Sequence, residues 1–73
     1  MSDASVSGES IGTNAGRIWG YLSRNGKSDL RKIRFGLKLN NAEMFLALGW
    51  LCREGKVVTT FDNDKNTYFA ELK

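Results

Sequence analysis

A nucleophile, a metal centre or a phosphate cradle each needs particular residue types at particular spacings, and this sequence supplies few of them. Its one cysteine is Cys52, and it contains no histidine. A thiol with neither a basic partner nor a second cysteine has nothing to draw off its proton, so no activated nucleophile is expected. Cys52 falls beside Leu48 and Leu51 on a predicted helix and is read as a small packing residue. Asp62, Asp64 and Asn66 reproduce the first three ligand positions of a calcium loop. Such a loop also needs a glycine and a glutamate further on, where this chain has Thr67 and Lys73. The three are read instead as turn formers. No constellation of serine, lysine or carboxylates points to catalysis, and no glycine-rich strand-to-helix loop points to a bound phosphate. The expectation is a protein that is not an enzyme, with no cofactor, metal or small-molecule substrate.

The chemistry left is charge. There are 11 Lys and Arg against 8 Asp and Glu, a net charge of +3. The excess sits in the middle of the chain, where Arg17, Arg24, Lys27, Arg31, Lys32, Arg34, Lys38, Arg53 and Lys56 face only Asp29, Glu43 and Glu54. Arg17, Arg24, Arg31, Lys32, Arg34 and Lys38 are candidates for contact with the phosphates of a nucleic acid. A solvated surface would carry the same residues, and both readings stand.

The elements that must position these groups follow from periodicity and capping. Residues 1–10 are polar and acidic and read as a disordered lead-in, leaving residues 11–73 as the domain. A first helix is expected after Thr13 as N-cap, with Ala15, Ile18, Trp19 and Leu22 as its buried stripe and Asn25-Gly26 as its end. Ser28 is expected to cap a second, shorter helix. Its inner face is Leu30, Ile33 and Leu37, its outer face carries Arg31, Lys32 and Arg34, and Gly36 helps to break it. Asn40 and Glu43 form a capping box for a third helix that runs to about Glu54 and stops at Gly55. Val57–Phe61 and Thr67–Leu72 are β-branched and aromatic strands, separated by the turn formers Asp62 to Asn66. Two helices joined by a short turn and followed by a hairpin make an α+β winged helix-turn-helix: three helices, then a two-stranded β-hairpin wing.

Two segments carry a closer likeness. Asn14-Ala15-Gly16-Arg17-Ile18-Trp19, and Leu46-Ala47-Leu48-Gly49-Trp50-Leu51-Cys52-Arg53-Glu54-Gly55-Lys56, together resemble a family of very small prokaryotic winged helix-turn-helix proteins of uncharacterised function. The likeness covers roughly residues 11–58. It implies the fold, and the wider winged helix class implies DNA binding and transcriptional control by analogy of fold.

In a winged helix that reads DNA, the third helix lies in the major groove and presents hydrogen-bonding side chains to base edges. Projected at about 100° per residue, Met44, Ala47, Leu48 and Leu51 form the inward side. The opposite side holds Ala42, Leu46, Gly49 and Arg53, flanked by Phe45 and Trp50, and is nearly all apolar. Only Arg53 and Asn41 offer polar contacts. A helix apolar all round is buried all round. Either Phe45 and Trp50 fold back into the domain's own core, or a partner covers the face. The simplest partner is a second copy, giving a homodimer. The wing tip, Asp62, Asn63, Asp64 and Lys65, is net negative and would repel phosphate. Two functions are therefore expected: DNA binding of low sequence specificity, or an interaction module acting through Ala42, Phe45, Leu46, Gly49, Trp50 and Arg53. No stretch approaches the ~20 apolar residues that span a bilayer, the first ten residues do not resemble a signal peptide, and an unpaired thiol suits a reducing compartment. The expected location is the cytoplasm.

Overall fold

The computed structural model describes residues 7–73. Its elements run α1 (Gly8–Asn25), β1 (Ser28–Asp29), α2 (Leu30–Leu37), α3 (Asn41–Arg53), β2 (Val57–Asp62) and β3 (Thr67–Leu72). The three helices, the helix-turn-helix and the hairpin wing stand as the sequence predicts. A short third strand is added to the sheet, whose order is β1-β3-β2, antiparallel throughout.

α1 starts at Gly8 and not after Thr13. Ser7 is the N-cap, and a reciprocal capping box with Ser10 fixes the first turn: the Ser10 amide donates to Ser7 Oγ at 3.1 Å, and the Ser7 amide donates to Ser10 Oγ at 2.9 Å. Two orphan amides are satisfied this way, so the cap forms ahead of Thr13. Thr13 itself lies mid-helix, its hydroxyl donating to the Glu9 carbonyl at 3.1 Å, the back-bonding open to a threonine inside a helix. Gly8–Ser10, expected in a disordered lead-in, are thus helical; residues 1–6 lie outside the described residues. α1 ends where predicted, at Asn25, with Gly26 at φ 74°, a conformation that costs a glycine little.

The buried side of α1 is Asn14, Ala15, Ile18 and Leu22. Trp19, expected in this stripe, is instead 45% exposed. On the helical projection the stripe centres between Ile18 and Leu22. Trp19 falls at its edge, and Asn14 takes the place inside.

α2 is not capped by Ser28. Ser28 and Asp29 form β1, paired with Ala70 and Phe69 of β3, and Ser28 Oγ donates to the Gly26 carbonyl at 2.8 Å. The cap is the next residue: Asp29 Oδ1 accepts from the Arg31 amide at 2.7 Å. Gly36 does not break α2 either. The helix runs through it to Leu37 and ends on Lys38 at φ 57°. α3 keeps its predicted box, with the Asn40 amide donating to Glu43 Oε1 at 2.9 Å and the Glu43 amide to Asn40 Oδ1 at 2.8 Å. The hairpin is closed by Asp62, whose Oδ1 accepts from the Lys65 amide at 3.1 Å. That is the turn role assigned to it from sequence.

One core joins these layers: Ala15, Ile18 and Leu22 from α1, Leu30 and Ile33 from α2, Leu39, then Met44, Ala47, Leu48 and Leu51 from α3, with Val57 and Ala70 from the wing. It is aliphatic throughout. Tyr21 and Phe69 are half-buried, and the other aromatic side chains, Trp19, Phe35, Phe45, Trp50, Phe61 and Tyr68, are exposed. Aromatic rings carry the largest apolar area in a small domain, and here nearly all of it is spent outside the core. Among the described residues no helix is long and apolar enough to cross a membrane.

Candidate nucleic-acid and partner interface

Two surfaces result. The first is the outward side of α3. Ala42, Phe45, Leu46, Gly49, Trp50 and Arg53 are all exposed, as is Asn41. Phe45 is 55%, Leu46 47% and Trp50 48% accessible, so neither aromatic folds back into the core. The inward set Met44, Ala47, Leu48 and Leu51 is buried, as the projection requires.

The wing extends this surface, which sequence reasoning missed. Val57, Thr59 and Phe61 stand opposite Leu72, Ala70 and Tyr68 in the β2–β3 register. These residues share one face of the hairpin, because side chains alternate along a strand. Val57 and Ala70 reach the core, while Phe61 and Tyr68 project beyond it as an edge-to-face pair with ring centroids 5.0 Å apart. Between them and α3 lies a cleft of about 260 Å³ lined by Leu30, Phe45, Leu48, Gly49, Cys52, Thr59 and Tyr68. Cys52 is therefore not a packing residue. It is exposed, one turn beyond Gly49, because the cleft opens on that side of α3. On the other flank, Trp19 and Trp50 line a groove between α1 and α3, with Gly12, Ala15, Gly16 and Leu51 beside them and the charged Glu54 and Lys56 also in its lining. Apolar surface thus runs from the wing across α3 to α1.

The second surface is the outside of α2. Arg31, Lys32 and Lys38 are exposed and Arg34 is half-exposed. At this end of the molecule Arg17 donates through Nη2 to the Leu37 carbonyl, at the last turn of α2, where a cation also opposes the negative end of the helix dipole. Arg31 is engaged with Asp29, its Nη2 3.2 Å from Oδ2. Arg24 lies in the last turn of α1. The structure thus groups Arg17, Arg31, Lys32, Arg34 and Lys38 around one short helix, with two of the five already in internal contacts. Sequence reasoning also passed over Phe35, which is 83% exposed on this helix. The spacing holds the signal: Phe35 is two residues from the inward Ile33 and Leu37, on the far side of the helix.

The Arg31 guanidinium and amide, both bonded to the Asp29 carboxylate, hold its pKa below the usual carboxylate range against the opposing effect of burial. A carboxyl whose folded pKa is depressed adds stability that is complete above the unfolded value and is lost as pH falls through the folded one. Asp29→Ala is expected to cost about 1 kcal/mol at neutral pH, the usual worth of an N-cap. The gap between variant and parent should close below about pH 4, where free aspartate protonates. Thermal unfolding followed across that range checks both statements, and a gap that persists undiminished at pH 2 would contradict them.

A capped three-helix unit, its third helix turned outward beside a β-hairpin, is a winged helix-turn-helix domain. The chain belongs to the winged helix-turn-helix domain family DUF2582, whose model matches residues 1–71. Among solved structures it is similar to protein BT2368 from Bacteroides thetaiotaomicron, with a TM-score of 0.77 and 28% identity over 88% of this chain and 76% of that one. It is similar in fold to the Zα domain of PKZ from Carassius auratus, determined in complex with Z-DNA, with a TM-score of 0.71 and 24% identity over 86% and 97% of the two chains. The PcaV transcriptional regulator from Streptomyces coelicolor shares the fold at a TM-score of 0.74 and 14% identity, the present chain spanning 49% of its length. No curated protein matches the chain.

Proposed function

We propose that this domain is a non-enzymatic nucleic-acid-binding regulator of the cytoplasm that holds DNA chiefly by its phosphates and associates with a second copy of itself through α3. The observation that carries the reading is the division between the two surfaces. The cations gather on and around α2, while the helix that would enter a major groove presents Phe45, Leu46, Gly49 and Trp50. Base edges in that groove call for donors and acceptors, and this face supplies only Asn41 and Arg53. Phosphate contacts fix position without reading sequence, so weak sequence discrimination follows. The fold shared with a Zα domain held on Z-DNA and with a transcriptional regulator supports nucleic acid as the ligand.

Anisotropy titrations of a labelled duplex over a range of salt test this, with B-form and Z-form DNA as separate arms. Affinity should fall steeply with salt, by close to one power of salt concentration per phosphate held. The double charge reversal Lys32→Glu/Arg34→Glu should weaken binding at least about tenfold at low salt. Absence of any association at low salt would remove nucleic acid from the reading. What would then remain is an interaction module working through the α3 face, the reading that its exposed aromatic residues favour independently of charge.

A further inference from the structure

Among the described residues Phe35 is the most exposed of the large apolar side chains, at 83%, and its setting is unlike that of the others. On a helix, residues three and four positions away are the nearest neighbours. For Phe35 these are Arg31, Lys32 and Lys38, all exposed, with Arg34 adjacent. Leu39, also at this spacing, is buried beyond the helix end. Among the described residues Lys32, Arg34 and Lys38 take part in no salt bridge. Phe35 thus has cations at its three exposed helical neighbours, one of them, Arg31, already paired with Asp29, on the side of α2 opposite Ile33 and Leu30. A wholly apolar protein pocket closing over Phe35 would strip water from these charges and offer them nothing in return. A nucleic-acid strand answers both features, since bases have faces that stack on aromatic rings and each base is linked to phosphates that take the cations.

From this geometry we infer that Phe35 is a stacking platform for an unpaired base, with Lys32, Arg34 and Lys38 holding the phosphates beside it. The domain accordingly prefers a single strand, or a duplex with unpaired bases, to a continuous duplex. In an intact duplex the base faces are already stacked on one another, and reaching one means pulling it out of the stack. This inference rests on the nucleic-acid reading above and adds to it which form of nucleic acid is bound.

The test compares a labelled single-stranded oligothymidylate with a fully paired duplex of equal length, at one salt concentration, for the parent, Phe35→Ala and Phe35→Trp. The single strand is expected to bind more tightly than the duplex. Phe35→Ala should weaken the single strand about tenfold, as loss of one stacked base does, and change the duplex less than twofold. Its salt slope should equal the parent's, because no charge is lost. Phe35→Trp should retain the parent's affinity. If the parent binds both forms equally, or Phe35→Ala leaves the single strand unaffected, the inference fails and phosphate binding survives. If neither form binds at low salt, both readings fail together. If Phe35→Ala changes the sedimentation of the free protein, the ring serves a protein contact and the inference is wrong.

Discussion

Leu46→Glu is expected to leave the domain folded and to make it monomeric at concentrations where the parent associates. The fold survives because Leu46 is 47% exposed and belongs to none of the core. A substitution at such a position shifts stability by about 0.5 kcal/mol or less, or roughly 2–4 °C in Tm for a domain of this size. Association does not survive, for two reasons that add. The leucine lies between Ala42 and Trp50, one turn from each, at the middle of the apolar face, so a second copy must cover it. Leu46 is already half covered, so burying the rest is worth about half of the ~1.5–3 kcal/mol of a full leucine, and a two-fold interface contains the residue twice. The substitution also asks two carboxylates to leave water close to the axis, with no partner but Arg53. Together these exceed about 3 kcal/mol, so the dimer should weaken by on the order of 100-fold or more. Sedimentation of parent and variant over a concentration series measures this. A parent that remains monomeric at millimolar concentration removes self-association through α3 altogether.

The features legible in the sequence are those governed by short-range chemistry. The Asn40–Glu43 box, the Gly26 and Gly55 stops, the inward stripe of α3 and the Asp62 turn all follow from residues within a turn or so of one another. Their positions in the structure agree. The features that were not legible depend on contacts distant in sequence. β1 has only Ser28 and Asp29, too few residues to show a period, and exists because Ala70 and Phe69 pair with it across 40 residues of chain. That pairing extends the backbone at Ser28 and moves the helix cap to Asp29. Trp19 is apolar and lies near the stripe, so composition argues for burial. It lies at the edge of the stripe, whose centre falls between Ile18 and Leu22, and Asn14 is buried in its place. For Cys52 the distant element is the wing: its place near Leu48 on the helix says nothing about the cleft that the wing leaves beside it.

The two surfaces differ in how much of them could be foreseen. The α3 face follows from projection alone, since both sides of one helix are apolar and only one can meet the core. Its extension by Phe61 and Tyr68 requires the β2–β3 register, which a sequence pattern leaves free by one residue, and a one-residue slip reverses every side chain. Phe35 was visible as an apolar residue out of phase with Leu30, Ile33 and Leu37. A single such residue in an eight-residue helix is weak evidence until its exposure is known.

Ile33→Ala should have the largest effect on the molecule as a whole. Ile33 is completely buried, among the largest of the side chains that are, and it is the anchor of α2. That helix is only eight residues long, well short of the ~12–15 residues at which an isolated helix becomes even marginal in water. Its existence therefore depends on packing. Deleting a buried isoleucine to alanine costs ~2–5 kcal/mol through lost transfer energy and the cavity left behind. A domain of this length has only on the order of 4–10 kcal/mol in total. Tm should fall by more than about 10 °C, whereas Ile33→Val, at ~0.5–1.5 kcal/mol, should lower it by only a few degrees. Because the core is one cluster, the loss is expected to be cooperative, with amide exchange accelerating in α1 and α3 as well as α2. Acceleration confined to α2 would mean that the helix opens by itself. In that case the cations and Phe35 would stand on a locally mobile element, and their contribution to binding would include the free energy of ordering it.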